Sequence, residues 1–462
     1  MKTVIKNGTV VSDSDCLQAD VLIEDGIISE VSSSIAAPDA ELIDAKDKLL
    51  LPGAVDAHTH MDLDVGFTRA CDDFFSGTVA AAAGGTTTII DHMAFGPKGA
   101  YPWHQVKEYH SLADGNAVID YSFHGVLQER ADDRTFAEIR EIAEKEGITS
   151  FKLYLTYDMM LHDKDVFAVL NEAKRNNILI TVHCENDGII NYLRDRCGEE
   201  HKLSAAFHPK SRPPDAEAEA VNRMLYMAEC AGEAPLYIVH LSSEAGVREV
   251  IAARKRGQKH FGVETCPQYL VLNDSLYDDP CEGLKAIMSP PLRKDSDRFC
   301  LWEALKNDIL DTVATDHCPF TFKEQKQRGK DDFRLCPNGA PGVEERLPLL
   351  FSEGYMKKRL SLPQLVKYVS TNPARIFGLY PKKGVIRPGS DADIVIMDPG
   401  KSYTLTGETI HGNADYTCYE GIGIKGAIDM VLLRGEVIVR DNKFLGKKGN
   451  GRYLKRGISS LC

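Results

Sequence analysis

Short apolar runs alternate with amphipathic segments through the middle of the chain, between residues 54 and 316. The runs have the length and composition of buried strands, and the segments between them carry apolar residues at helical spacing. We predict strands over 54–59, 86–92, 117–124, 149–155, 178–184, 235–241, 261–266 and 311–316. Among the intervening helices we predict 133–146, 163–176 and 214–231. Eight strands that alternate with helices predict an α/β fold, the TIM (β/α)8 barrel.

The two ends of the chain show a different pattern, dominated by β-branched residues. Residues 3–11 and 20–31 are typical of strands, and the second run is split by the Asp25–Gly26 dipeptide, which suits a two-residue hairpin turn. The same pattern returns over 391–398 and 430–444. We therefore expect both termini to build one small β-sandwich domain.

These patterns suggest where the domains begin and end. We expect the β-sandwich at 1–52 and 376–445, the catalytic barrel at 53–375, and a tail at 446–462 that is a packed or flexible extension. Three stretches of the barrel, 188–213, 267–295 and 317–345, are long and rich in proline, glycine and polar residues. Loops of that length are usually functional, and on a barrel they would overhang the face that carries active sites.

Composition and charge exclude several classes of function. The chain of 462 residues has a net charge of -13, which argues against nucleic acid as a partner because polyanion binding needs a basic surface. No run approaches the roughly 20 apolar residues of a membrane span, and the start lacks a long apolar segment, so we expect a cytoplasmic protein. The 12 cysteines never form a CxxC pair, which makes a disulfide framework or zinc ribbon improbable. The sequence also lacks a G-x-S-x-G elbow, a Walker motif and a dinucleotide-binding glycine motif.

Histidines end several of the predicted strands. His58 and His60 are two residues apart, so they point to the same side of a strand, and His183 and His240 end the fifth and sixth strands. A single histidine at such a position is more often a core or rim residue than a ligand. A barrel brings all four strand ends to one rim, however, and together they predict a metal site.

Two further ionisable residues lie in the predicted strands. Lys152 is surrounded by apolar residues, and burial would lower its pKa. A neutral amine can add carbon dioxide to form a carbamate that bridges two metal ions, whereas the alternative is a lysine that reaches outward to solvent. Asp316 ends the eighth strand, where it would bind metal and exchange a proton, or else serve as a helix-capping or turn carboxylate.

Nine motifs distributed over the chain carry a resemblance to a known family. They are HTH at 58–60, GGTTTIIDHM at 84–93, SFKLYLTY at 150–157, TVHCEN at 181–186, YIVHLS at 237–242, ETCPQYL at 264–270, SPPLR at 289–293, ATDHCPF at 314–320 and PNGAPGVE at 337–344. Together they resemble the dihydropyrimidinase and hydantoinase family of cyclic amidohydrolases, and most of all its bacterial phenylhydantoinase branch. The resemblance implies a metal-dependent amidohydrolase barrel with a small β-sandwich, usually assembled as a homotetramer.

The resemblance also implies a set of site residues. Two divalent metal ions, expected to be zinc, would be held by His58, His60 and Asp316 on one side, by His183 and His240 on the other, and by carboxylated Lys152 between them. Asp316 would move a proton to the leaving nitrogen, and Tyr157 would donate a hydrogen bond to the developing oxyanion. Backbone groups of Ser289 and Asn338 would hold the cyclic substrate.

The expected reaction is the opening of 5-substituted hydantoins, dihydropyrimidines or both to N-carbamoyl amino acids. The substrate side chain would contact a pocket made by Leu63, Val65, Tyr154 and Leu161. His92 departs from the apolar residue that many hydantoinases have at this position, and it either lines the pocket or packs.

Other functions stay open on the sequence alone. Dihydroorotases and allantoinases share the metal ligands, but a dihydroorotase typically has an arginine two residues after the second histidine, where this chain has Asp62. Some relatives are non-catalytic scaffolds that have lost metal ligands, all of which this chain keeps. A deaminase with a single metal would not need Lys152.

Overall fold

The predicted strands are present in the computed structural model, which describes residues 2–462. The N-terminal strands are β1 (Lys2–Val11), β2 (Cys16–Glu24), β3 (Ile27–Ser32), β4 (Glu41–Asp44) and β5 (Leu49–Pro52). The barrel strands are β6 (Ala54–Thr59), β7 (Thr86–His92), β8 (Asp120–Val126), β9 (Ser150–Tyr154), β10 (Leu179–His183), β11 (Leu236–Ile238), β12 (Phe261–Thr265) and β13 (Thr312–Val313). The C-terminal strands are β14 (Ile394–Thr404), β15 (Gly423–Leu433), β16 (Glu436–Arg440) and β17 (Lys443–Phe444).

The eight middle strands form one parallel sheet in sequence order, from β6 to β13. A parallel bridge between Thr59 and His317 joins the first strand to the residues that follow the eighth. There the Asp316 amide donates to the His58 carbonyl, and the His60 amide donates to the His317 carbonyl, each at 2.9 Å. These bonds connect the first strand to the segment that follows the eighth, beside the predicted metal ligands.

Helices cover the barrel, as the apolar spacing predicts. They are α1 (Ser76–Ala83), α2 (Pro102–Ala113), α3 (Asp133–Glu146), α4 (Asp163–Asn176), α5 (Asp187–Glu199), α6 (His208–Ser211), α7 (Pro214–Cys230), α8 (Glu244–Arg256), α9 (Pro267–Val271), α10 (Asp295–Lys306), α11 (Arg346–Leu349), α12 (Leu362–Val366) and α13 (Asn372–Ile376). Local sequence sets their ends. The Asp132 carboxylate caps α3 by accepting from the Thr135 amide, and Gly147 ends that helix with a left-handed φ of 64°. No helix within residues 2–462 has the length and apolar character that crossing a membrane requires.

Three details differ from the sequence prediction. The stretch 188–213, expected to be a loop, begins inside α5, which runs to Glu199 and which Asn186 caps through the Ile189 amide, and it also contains α6. The third strand begins at Asp120 rather than at 117. The sixth and eighth strands end early, at Ile238 and Val313, so His240 and Asp316 follow their strands, with left-handed φ values of 42° and 56°.

The terminal segments build a single mostly antiparallel sheet in the order β17-β16-β15-β14-β5-β1-β2-β3, with β4 beside β1. The two halves meet where β5 pairs with β14, for example Leu50 with Ile396. Asp25 and Gly26 have φ values of 51° and 85°, as the predicted two-residue turn requires. This confirms the small β domain built from both termini.

A buried ion cluster connects this sheet to the barrel, and we call it the Lys383 joint. Lys383 Nζ lies 2.6 Å from Asp120, 2.7 Å from Asp393 and 2.9 Å from Asp391, and Arg434 also pairs with Asp120. Asp120 starts barrel strand β8, whereas Asp391 and Asp393 immediately precede β14. The joint therefore ties the barrel to the terminal sheet by charge pairing.

The C-terminal tail packs against the amino end of β8. The Leu454 amide donates to the Tyr121 carbonyl at 2.7 Å. Arg456 is buried and donates to the Phe123 carbonyl at 2.6 Å and to Ser150 Oγ at 2.8 Å. Of the two possibilities for the tail, the structure shows the packed extension.

Candidate metal centre and active site

The six predicted metal ligands lie at the carboxyl end of the barrel. They are His58 in β6, His60 just after it, Lys152 in β9, His183 at the end of β10, His240 just after β11, and Asp316 after β13. All six side chains are buried or nearly so. We call this set the rim cluster.

One half of the rim cluster consists of two imidazoles and a carboxylate. Asp316 Oδ1 lies 3.1 Å from His58 Nε2 and 3.0 Å from His60 Nε2. Burial alone would raise the pKa of Asp316, but the two imidazoles hold it well below its usual value. The carboxylate is therefore negatively charged and faces both histidines.

The other half is a histidine pair. His183 Nδ1 and His240 Nε2 lie 2.9 Å apart. The second nitrogen of the His183 ring donates to Glu185 Oε2 at 2.8 Å. Similarly, His58 Nδ1 donates to Glu264 Oε1 at 2.6 Å. A carboxylate that fixes one ring nitrogen of a histidine leaves the other as the ligand, the arrangement usual for metal-binding histidines.

Lys152 lies inside the barrel with 1% of its surface exposed. Its burial lowers its pKa to about 8, against the opposing effect of Asp316 and Glu264. Its Nζ lies 5.2 Å from the centre of the Tyr154 ring. The Lys152 amine beside the histidines therefore loses its proton more readily than an exposed lysine does.

Three rim residues have backbone conformations that side chains other than glycine rarely adopt. The φ values of Tyr157, His240 and Asp316 are 80°, 42° and 56°. Such strain costs on the order of 1 kcal/mol or more per residue and persists where the surrounding structure holds it. Strained residues of this kind are frequent at functional sites.

The residues expected to hold the substrate also reach this rim. Ser289 Oγ donates to Asn338 Oδ1 at 3.0 Å, which connects two of the long loops. The Tyr157 ring lies 5.5 Å from the His183 ring. Burial raises the pKa of Tyr157, while nearby Arg212 opposes that rise, so the hydroxyl stays protonated and able to donate.

The four expected pocket residues differ in their surroundings. Tyr154 is at the rim, with its ring 4.9 Å from Phe95 and 5.9 Å from His183. Leu63 is half-buried, and Val65 is exposed. Leu161 packs in the main hydrophobic core, where it is the least accessible of the four.

His92 lies fully buried next to the rim cluster. Its ring centre is 4.3 Å from that of His58 and 5.4 Å from that of His60. One ring nitrogen from each of these three histidines lies within 4.8 Å of the others. The open question of whether His92 lines the site or packs is thus answered in part: it contacts two expected ligands.

Three residues around the rim cluster were missed by sequence reasoning. Glu185 and Glu264 lie inside motifs that carry the family resemblance, but nothing local shows that they face histidines. Arg212 is 2% exposed and donates to Glu185, in a segment predicted to be a loop. The two-residue spacing of His183 and Glu185 was the one available signal, since it places both on the same side of an extended chain.

The donor atoms fit divalent metal ions. His60 Nδ1 is buried without a hydrogen-bond partner among residues 2–462, a costly state that a bound ion would relieve. Imidazole nitrogens and a carboxylate suit zinc and its neighbours in the first transition row. The residues present therefore form a site that can hold metal.

Comparison with known proteins agrees with this geometry. The amidohydrolase family model matches residues 49–438. A D-phenylhydantoinase from Escherichia coli O1:K1 / APEC is 47% identical over 457 residues, which are 99% of this chain and 98% of that protein. The crystal structure of dihydropyrimidinase from Brevibacillus agri NCHU1002 is 44% identical, covers 100% of both chains and superimposes with a TM-score of 0.97. A D-hydantoinase structure from Bacillus sp. AR9 is 43% identical over 99% of both chains, with a TM-score of 0.96. The chain belongs to the amidohydrolase family, in its dihydropyrimidinase and hydantoinase branch.

Proposed function

We propose that this protein hydrolyses the cyclic amide bond of 5-substituted hydantoins and dihydropyrimidines to give N-carbamoyl amino acids. The observation that carries the proposal is the rim cluster, in which four histidines, a buried lysine and a carboxylate converge. The similar proteins named D-phenylhydantoinase, dihydropyrimidinase and D-hydantoinase support the substrate class.

The proposed cofactor is a pair of zinc ions. His58, His60 and Asp316 would hold one ion and His183 and His240 the other, with Lys152 between them as a carbamate. Two ions bound there would polarise the ring carbonyl and lower the pKa of a water molecule. The burial of Lys152, which lowers its pKa, supports the carbamate, because only the neutral amine reacts with carbon dioxide.

The side chains of the rim supply the remaining steps. Asp316, negatively charged and facing both histidines, accepts a proton from the attacking water and returns it to the leaving ring nitrogen. Tyr157 donates a hydrogen bond to the oxyanion, a contribution worth about 3–4 kcal/mol in other enzymes. The linked loops at Ser289 and Asn338 hold the ring in place.

The proposed pocket favours neutral rings. Its residues offer apolar surface and one hydroxyl, and Asp62 stands where a dihydroorotase has a cation. In the structure Asp62 accepts from the Phe74 amide at 3.2 Å and lies 3.7 Å from Arg69, so its charge is already engaged. A ring that carries a carboxylate would meet no cation among the pocket residues, and an unpaired buried charge is costly.

A substrate panel on zinc-loaded protein tests this proposal. We expect kcat/KM to be highest for phenylhydantoin, comparable or lower for dihydrouracil, and negligible for dihydroorotate, with chelated protein as the control. A lead of tenfold by dihydroorotate or allantoin, equal to about 1.4 kcal/mol in transition-state binding, would overturn the substrate assignment.

We also propose that the enzyme works as a homotetramer in the cytoplasm. The family resemblance supports the assembly. Light scattering coupled to size-exclusion chromatography measures the mass directly. A monomeric mass at micromolar concentration would contradict the assembly.

A further inference from the structure

His92 is a buried imidazole beside the metal centre that the proposed reaction does not use. Its exposure is 0%, and its Nδ1 has no hydrogen-bond partner among residues 2–462. An unpaired buried polar atom costs about 1–3 kcal/mol, so a native structure usually keeps one for a reason.

The His92 ring is held in position by contacts with two neighbouring side chains, His124 and Thr181. It stacks on His124 with the ring centres 4.1 Å apart and the planes at 15°, and its Nε2 lies 3.5 Å from Thr181 Oγ1. His124 is itself fixed by Ser150 Oγ at 2.6 Å and by the Ala57 carbonyl at 3.0 Å. The ring of His92 is therefore oriented by these contacts, while its Nδ1 stays free.

We propose that His92, His58 and His60 form a three-imidazole site that holds one divalent ion without the Lys152 carbamate. The inference rests on the proposed metal centre and deepens it. Three imidazoles with an open fourth position make an established kind of zinc site. Their nitrogens, now within 4.8 Å of one another, need to close to about 3.3 Å around a tetrahedral ion with bonds of about 2.0–2.1 Å.

This site gives the centre an order of loading. Among residues 2–462, the other half of the rim cluster, His183 and His240, does not belong to a comparable group of three imidazoles. The first ion is thus held on the His58 side before Lys152 is carboxylated, and the bridging carbamate completes the pair. The competing view is that His92 only packs on His124 and takes no part in metal binding.

The decisive experiment compares metal binding in the Lys152→Ala background. Metal-free Lys152→Ala, Lys152→Ala/His92→Phe and the control Lys152→Ala/Thr181→Val are titrated with cobalt(II) and with zinc. Bound metal is counted by mass spectrometry, and the visible cobalt spectrum reports the ligands. Thr181→Val is the matched control because it removes only the hydroxyl near His92 Nε2.

We expect Lys152→Ala and its Thr181→Val control to bind about one ion per chain. Adding His92→Phe should weaken that binding more than about a hundredfold, beyond the 10–100-fold typical of residues behind a ligand, and should change the cobalt spectrum. His92→Asn serves as a second replacement, and thermal unfolding of the metal-free proteins shows that each variant is folded.

Two outcomes would overturn the inference. Either Lys152→Ala binds no ion at all, or both His92 replacements leave its affinity and cobalt spectrum unchanged. Failure of the proposed function would look different, because the unmodified protein would then bind no pair of ions or open no ring in the substrate panel.

Discussion

The rim cluster and the Lys383 joint are both buried sets of ionisable groups, yet their pairing differs. In the joint, one ammonium group lies within 2.9 Å of three carboxylates, and Arg434 adds a second cation. In the rim cluster, Asp316 is the one carboxylate among four imidazoles and a lysine, it contacts only His58 and His60, and His60 Nδ1 is buried without a partner within residues 2–462. Each carboxylate of the joint contacts a cation, and we call such a cluster closed. The rim cluster keeps a buried nitrogen without a partner in the part of the chain that the structure describes, and we call such a cluster open.

The difference separates structural from functional burial of charge. A closed ion cluster contributes to the attachment of one part of the fold to another, and its loss leaves uncompensated charges. An open cluster stays unsatisfied until a ligand arrives, which is how metal and catalytic sites are recognised. Damage to the joint should therefore reduce stability, and damage to the rim should reduce activity.

The largest expected effect is on activity, from Asp316→Asn. This change keeps an oxygen that can bind metal but removes the proton acceptor, so kcat should fall by about 10²–10⁴. Part of the metal should remain bound, and the midpoint of thermal unfolding should change little. Steady-state kinetics with metal analysis checks this, and wild-type turnover would exclude Asp316 from proton transfer.

The next effect is on stability, from Lys383→Met. Removing the cation leaves buried carboxylates unpaired, which should lower the free energy of unfolding by about 3–5 kcal/mol. The matched control is Lys401→Met, since Lys401 also pairs with Asp429 and Asp441 but is 47% exposed, so its loss should cost less than about 1 kcal/mol. Denaturant unfolding measures both, and equal costs would break the comparison.

Glu345 is a buried carboxyl that belongs to neither cluster, and it tests whether burying a carboxylate without a cation reduces stability. It is buried with the Thr417 hydroxyl as its side-chain partner, and burial raises its pKa to about 7 from 4.5. The folded state therefore binds its proton more tightly than the unfolded state does, so stability falls as pH rises from about 4.5 to about 7.

Glu345→Gln should remove that penalty and stabilise the protein at pH 8 by about 2–4 kcal/mol. Its advantage over the wild type should shrink as pH is lowered toward 4.5. Thermal unfolding of both proteins across this range measures the effect, and a pH-independent difference would contradict it.

The smallest expected effect is on metal affinity, from a change in the buried Arg212–Glu185 ion pair next to the rim cluster. Arg212→Lys keeps the charge but loses the planar fork, so His183 should be held less firmly through Glu185. We expect metal affinity to fall by about tenfold, with kcat/KM following it. Metal titration separates this effect from a change in substrate binding, and unaltered affinity would show that Arg212 does not act through His183.

Much of the fold and of the convergence of the rim cluster could be predicted because the signals are local. Each strand is a short apolar run, and histidines at the ends of such runs converge in any closed parallel barrel. The Asp25–Gly26 turn is likewise a two-residue signal, and the structure contains it.

What the sequence could not show depends on distant contacts. Glu264 is recognisable as a partner of His58 only once β6 and β12 are placed in one barrel, 206 positions apart in sequence. The left-handed backbone of Asp316 is imposed by its surroundings and carries no residue signature. The helix α5 was missed for a different reason: its proline- and glycine-rich neighbourhood outweighed the Asn186 cap.

The pairing of β5 with β14 has a consequence for how the chain is made. Leu50 can pair with Ile396 only after about 350 further residues have been synthesised. At 5–20 residues per second, that synthesis takes roughly 20–70 s. Until then one edge of β5 has no strand beside it, and an open edge can pair with another chain. The strand that joins the two terminal segments in the finished protein is therefore an aggregation-prone edge throughout the synthesis of the barrel.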